Sequence, residues 1–227
     1  MRPKIYAHRG ASRQQRENSV EAFRVAAELG ADGVELDVRR ALSGELVVHH
    51  DAYAEGVLIA RADRRALPSH VPDLGDALDA CSGLRVNIEI KIDDPHKRES
   101  FELAQEVAQQ LRSRAEPVGR WLVSSFDHGV VDQMRELFPE LPTGLLSWRE
   151  PWQGVIRHAV NNGHLAIHPD ESMVDDQLVR EAHAAGIEVN TWTVNDPERG
   201  IELAELGVDG LITDVPHEML EVLGHLQ

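Results

Sequence analysis

The chain has 227 residues, with 39 acidic side chains against 23 basic ones and a formal net charge of −16 at pH 7 with histidine neutral. That balance excludes a generic nucleic-acid binder, because a surface that tracks phosphates needs clustered Lys and Arg to displace counterions. No apolar run approaches the roughly 20 residues of a membrane span, and Met1-Arg2-Pro3-Lys4 enters a strand-like segment without a signal-peptide core. The expectation is a cytoplasmic protein with no stable membrane insertion.

In chain order, short β-branched or aliphatic runs alternate with longer segments of helical period. The runs at residues 5–8, 34–38, 86–90, 122–125, 143–146, 165–168, 189–194 and 210–213 predict eight strands. Helices are expected after them at 18–29, 72–81, 97–114, 128–137, 152–161, 175–185, 196–206 and 216–226. Gly30, Gly186 and Gly207 stand just past the last apolar position of three of these, where a left-handed cap is needed. Eight strand-helix pairs without a linker or charge block predict an α/β fold, a (β/α)₈ TIM barrel forming one domain over residues 1–227. Aromatic residues are only 4% of the chain, so the core is aliphatic, with Cys81 as a buried structural thiol.

Residues 45–50 (ELVVHH) form a ninth strand-like run. They follow the second strand too closely for a parallel crossover, so a β-hairpin is expected after that strand, turning at Ser43-Gly44. With a two-residue loop, Leu42 faces Glu45 and Asp37 lies opposite His50; a slip of one residue would put His49 there instead.

In a barrel, functional groups gather at the carboxyl ends of the strands. There the chain places His8, Arg9 and Gly10, then Glu35 and Asp37, then His50 and Asp51, then Glu89 and Lys91. The later strands add Ser124, Ser125, Trp192 and Asp214. Glu35 and Asp37 share one face of their strand, as Glu89 and Lys91 share theirs. Three carboxylates within aliphatic strands cannot stay buried as unpaired anions. Either Arg9 and Lys91 pair with them as a structural ion cluster, or one divalent metal ion binds. All-oxygen ligands select Ca²⁺ or Mg²⁺ over zinc. His8 and His50 beside those acids form a candidate acid and base pair near neutral pH. Arg9 and Lys91 suit a phosphate, so residue chemistry reaches metal-assisted phosphoryl transfer without deciding between monoester and diester.

The stretch HRGASRQQRENSVEAFRVAAELGADGVELDV, followed by VVHHD, VPDLGDAL, NIEIK, SSF, NTWTVND and GVDGLITDVP, resembles the glycerophosphodiester phosphodiesterase family in motif and order over nearly the whole chain. The resemblance implies a TIM barrel that hydrolyses glycerophosphodiesters, as small-molecule substrates, to glycerol 3-phosphate and an alcohol. It implies that His8 and His50 act as general acid and base and that Glu35, Asp37 and Glu89 bind the metal. Arg9 and Lys91 would contact the phosphate, Trp192 would wall the substrate, and Glu17 and Asn18 would brace the site from behind. Asn18 also reads as a helix N-cap, and Ser125 and Phe126 as packing at the barrel mouth. Internal attack through a cyclic phosphate and direct attack by water both fit. Residues 52–71 lack the larger insertion of many relatives, so the alcohol head group stays open, a lysophospholipase D-like activity is the nearest rival, and a non-catalytic binding protein is the remote one.

Overall fold

The structure is a computed structural model that describes residues 2–92 and 97–224. Eight parallel strands close into a barrel: β1 (Lys4–His8), β2 (Gly33–Arg40), β6 (Arg85–Ile90), β7 (Trp121–Ser125), β8 (Thr143–Ser147), β9 (Ala166–Pro169), β10 (Glu188–Thr191) and β11 (Gly210–Thr213), with β1 pairing both β2 and β11. The helices α1 (Val20–Glu28), α2 (Leu74–Ala80), α3 (Lys97–Arg112), α4 (His128–Leu137), α5 (Trp152–Asn162), α6 (Asp176–Ala184), α7 (Pro197–Leu206) and α8 (Pro216–Leu223) surround it. The expected last helix ran to Leu226, beyond the described residues. Among the described residues no helix is long and apolar enough to cross a membrane.

Most of the apolar core lies between strands and helices. In α1, Ala22, Phe23 and Ala26 are buried against the outward face of the sheet, together with Val34 and Leu36 of β2. Truncating a fully buried phenylalanine such as Phe23 costs about 3–5 kcal/mol, so Phe23→Ala would remove much of what docks this helix. The expected thiol is found where the sequence puts it: Cys81 is buried, donates to the Ala77 carbonyl, and burial pushes its pKa up to about 12.

The barrel interior is filled differently, by a few large or polar side chains set over glycines. A Cβ at Gly33 would lie 2.6 Å from the Tyr6 ring, and one at Gly144 would lie 2.6 Å from the His168 imidazole. His168 is held neutral there, because burial pulls its pKa down to about 3. This alternation of large and small residues closes the lower barrel and leaves the polar residues of the upper layer grouped at the carboxyl end.

The hairpin is present, but its register differs from the expectation. β3 (Leu46–Val48) pairs with β2 so that Val38 faces Val48 and Arg40 faces Leu46. The loop has three residues, Leu42, Ser43 and Gly44, closed by bonds between Ala41 and Glu45 and from Gly44 back to Ala41. Gly44 sits at φ +102°, the left-handed position that a three-residue turn requires. In consequence the Asp37 carbonyl accepts from the His49 amide and not from His50. Residues 52–71 carry structure that their composition does not announce. A ribbon of β4 (Tyr53–Ala54) and β5 (Val57–Leu58) precedes two short 3₁₀ turns, and Ile59, Leu67 and Val71 pack with Ala41 and Val47 as a satellite core. Most other boundaries move by a residue or two, and two of these shifts bear on the site: α1 begins after Asn18, with Ser19 accepting from the Ala22 amide as its cap, and β10 ends before Trp192.

Candidate active site

Parallel register assembles the site in layers. His8 of β1 pairs with Glu35 of β2, which pairs with Asn87 of β6; one layer up, Asp37 pairs with Glu89, and Glu89 with Ser124 of β7. Because alternate residues share a face, these side chains all point into the barrel mouth. Lys91 stands just past the end of β6, and its ammonium lies 2.5 Å from Glu89 and 3.0 Å from Asp37.

The β1–α1 loop supplies the second cation. Arg9 has φ 57° and Gly10 φ +80°, and a Cβ at Gly10 would meet the Ala22 backbone at 2.7 Å, so only glycine lets the loop lie against α1. Folded this way, the Arg9 amide donates to Glu35 at 3.1 Å, while its guanidinium lies 3.4 Å from Asp37 and 3.0 Å from Glu17. Asn18 follows at φ 55°. It is buried and clasps Asp37 from two sides, its amide donating to the carboxylate at 2.7 Å and its carbonyl accepting from the Asp37 amide at 3.3 Å. The expected cap is thus a direct brace for Asp37, whereas Glu17 is half-exposed and reaches the site only through Arg9.

Charge in this layer does not cancel. Glu35, Asp37 and Glu89 are all buried, against Arg9 and Lys91 as the cations among them. Burial raises the Glu35 carboxyl well above the usual carboxylate range, reinforced by Asp37 and Glu89. Burial and Asp37 likewise raise Glu89. Asp37 goes the other way, because Lys91, Arg9, His50 and Asn18 together outweigh its own burial. One oxygen of Glu35 is buried with no hydrogen-bond partner. The three carboxylates offer oxygens within 4.8 Å of one another. A surplus negative charge, an orphaned carboxylate oxygen and an all-oxygen donor set fit a hard divalent cation.

Two imidazoles flank this cluster, each oriented by a carboxylate. His8 Nδ1 is 2.7 Å from Asp214, and His50 Nδ1 is 2.8 Å from Asp51, which turns both Nε2 atoms away from those partners. His8 Nε2 lies 3.9 Å from Glu35. Burial lowers the His50 pKa below its ordinary value, against the pull of Asp37. His8, His50, Glu35, Glu89, Arg9 and Lys91 all line one cavity of about 90 Å³. Trp192 closes its far wall, donating from Nε1 to the His168 carbonyl at 2.8 Å and meeting Phe126 edge-on at 5.4 Å. His50 keeps its place despite the shifted register because it lies beyond the last β3 residue, where pairing no longer dictates side-chain direction. His49 turns aside to the Tyr53 carbonyl.

Two positioning roles escape sequence reasoning, that of Asp214, named only as a strand-end residue, and that of Arg39, not named at all. Asp214 holds His8 and is itself fixed by Asn195 at 2.7 Å; together these bonds outweigh burial and hold its carboxyl at about 2. The signal was the closure of the barrel, which sets β11 beside β1. Arg39 donates from Nε to the carbonyls of His49 and His50 at 3.1 and 2.9 Å, clamping the segment that carries His50. Its parity with Glu35 and Asp37 on β2 was the available clue.

The profile of the glycerophosphoryl diester phosphodiesterase family matches residues 8–63 and 54–218. A glycerophosphodiester phosphodiesterase of Caldanaerobacter subterraneus subsp. tengcongensis is 29% identical, with 98% of each chain covered. A phosphodiesterase of Oleispira antarctica, solved in complex with the product sn-glycerol-3-phosphate, superposes with a TM-score of 0.88 at 26% identity, covering 98% of this chain and 97% of that one. The glycerophosphodiester phosphodiesterase of Thermotoga maritima gives 0.84 at 28% identity over 98% and 99%. With a profile match across most of its length and the same closed barrel, this chain belongs to the glycerophosphoryl diester phosphodiesterase family.

Proposed function

We propose that the protein hydrolyses a glycerophosphodiester to sn-glycerol 3-phosphate and an alcohol, with the barrel over residues 1–227 acting as one catalytic unit. The observation that carries this reading is the pair of carboxylate-oriented imidazoles, His8 and His50, lining one cavity with two of the three clustered carboxylates and both cations.

Glu35, Asp37 and Glu89 would hold one divalent ion, Ca²⁺ or Mg²⁺, whose charge would polarise the phosphoryl oxygens once bound. Arg9 and Lys91 contribute fixed positive charge at the same oxygens and keep it where charge grows as the phosphorus is attacked. Neither cation needs to reorganise, since both are already tethered to buried acids. One imidazole Nε2 takes the proton from the attacking oxygen, and the other gives a proton to the departing alcohol oxygen. Asp214 and Asp51 keep each ring in the orientation that presents Nε2, and stabilise it when it is charged. The lowered pKa of His50 leaves it neutral at pH 7, as a general base must be. Trp192 and Phe126 give the substrate an apolar wall that excludes water from one side.

Purified protein should release glycerol 3-phosphate from glycerophosphocholine or a related head group, lose that activity on chelation, and recover it with Mg²⁺ or Ca²⁺. Full activity after thorough chelation would remove the metal from the mechanism. The half-exposed Phe126 and Trp148 favour a second substrate class, lysophospholipids. Faster turnover of acylated than of deacylated substrates would shift the assignment to that class.

A further inference from the structure

A second cluster of metal-type ligands lies on the outside of the barrel, in the groove between α4 and α5. Asp132 of α4 is shared by two imidazoles, and both reach it through Nε2. His158 of α5 lies 2.9 and 3.1 Å from the two carboxylate oxygens, and His164 lies 2.9 Å from one of them. The three ligand atoms fall within 4.8 Å of one another, which among the described residues is matched only by the acidic cluster of the barrel mouth. The His164 side chain is fully buried, whereas Asp132 and His158 are each about one-third exposed.

Independent contacts hold these rings in place. His164 Nδ1 is 2.9 Å from the Thr143 hydroxyl, which sets the ring orientation from the side away from Asp132. Gly163, at φ +72°, ends α5 in a left-handed turn that brings His164 back beneath His158, and the two rings stack with centroids 5.9 Å apart. On the other side, the His128 ring meets His158 edge-on at 5.3 Å and is tied to the Leu146 carbonyl. A histidine ligand whose second nitrogen is already engaged is the usual arrangement around a protein-bound transition metal.

We propose that Asp132, His158 and His164 form a binding site for a divalent transition ion of the zinc class, with one coordination position open to solvent. Two imidazole nitrogens and one carboxylate oxygen are a borderline donor set, which takes zinc in preference to the magnesium or calcium suited to three carboxylates. Donors about 2.0 Å from a tetrahedral ion stand roughly 3.3 Å apart, so each nitrogen, now 2.9 Å from the Asp132 oxygen, needs to separate from it by only a few tenths of an ångström. On binding, each neutral ring moves its proton from Nε2 to Nδ1, and on His164 that proton then points at the Thr143 hydroxyl. The ion would tie α4, α5 and the turn before β9 together on the outside of the barrel, away from the active-site mouth.

The test is a Zn²⁺ titration of the full chain in excess Mg²⁺, read by calorimetry and by the visible spectrum of Co²⁺ as a replacement. Wild type and Glu89→Gln should both bind one equivalent of zinc outside the barrel mouth. His158→Gln and Asp132→Asn, at partly exposed positions, should each weaken it at least tenfold while keeping the far-UV circular dichroism of wild type. Zinc binding that disappears in Glu89→Gln, binding equally tight in His158→Gln and Asp132→Asn, or no zinc uptake by wild type would each overturn the proposal.

Discussion

The barrel mouth and the α4–α5 groove each bring three metal-type ligands together, yet they stand in opposite electrostatic states. At the mouth, three buried carboxylates face two cations, a Glu35 oxygen is orphaned, and burial raises the carboxyls of Glu35 and Glu89. In the groove, one carboxylate is shared by two histidines and every ligand atom has a hydrogen-bond partner. The first cluster is therefore costly without an added cation, while the second is satisfied in its absence. Ligand count alone does not distinguish a required ion from an optional one; unmet charge does.

The sharpest way to break this contrast is at the mouth. His50→Ala and His8→Ala should each lower turnover by about 10²–10⁴-fold with little change in thermal midpoint, as loss of a general acid or base does. Steady-state kinetics with glycerophosphodiesters checks this, and a loss below tenfold in both would remove the two-histidine mechanism.

Next in size is the pH dependence of metal binding. The raised Glu35 carboxyl keeps its proton to higher pH than an ordinary glutamate. A bound dication displaces that proton, so affinity should fall as pH falls, by up to about tenfold per pH unit below the folded-state pKa. Calorimetry at several pH values should show proton release on binding, and a pH-independent affinity would mean that Glu35 is not a ligand. The same raised pKa favours the metal-free fold at low pH and penalises it as pH rises through the folded-state pKa, so the stabilisation by added Mg²⁺ should grow with rising pH.

Asp214→Asn should lower turnover about tenfold or more by freeing the His8 ring, with rescue by neither salt nor metal. Its stability effect has a definite sign. The folded carboxyl titrates at about 2 against an ordinary 3.8, so its contribution is complete above about pH 4 and is lost as pH falls toward 2. Because the side chain is partly exposed, screening keeps that contribution to about 1 kcal/mol or less. Urea midpoints of wild type and variant should converge between pH 5 and pH 2. Arg39→Met should cost about 1–3 kcal/mol through the carbonyls it leaves unpaired, with a several-fold rise in KM as the His50 segment loosens. At the small end, Asp132→Asn should change stability by less than about 1 kcal/mol and leave turnover unaltered, which separates the groove from the mouth.

Much of the site was legible from the chain alone, because a strand's two-residue period places Glu35 with Asp37, and Glu89 with Lys91, on common faces. What escaped depended on contacts between distant segments. The resemblance placed Asn18 behind the site, but that it clasps Asp37 itself depends on the left-handed turn before α1. The hairpin register turned on one residue of loop length, since Gly44 allows a three-residue turn as readily as a two-residue one. The ribbon at residues 53–58 is too short for a periodic signal and is stabilised by its satellite core. Histidines 158 and 164 are unremarkable among twelve, because their meeting point lies on a neighbouring helix.

The sequence by itself determined the eightfold alternation, the hairpin, the thiol's burial and the ionisable residues at the strand ends, since each follows from local periodicity or motif order. Only the tertiary structure decided that Asp214 and Asp51 orient the two imidazoles, that Arg39 clamps His50, and that three carboxylates with oxygens within 4.8 Å of one another share two cations at the barrel mouth. Barrel closure is the physical reason: it joins β11 to β1 and turns residues some two hundred positions apart into hydrogen-bond partners, which no local pattern encodes.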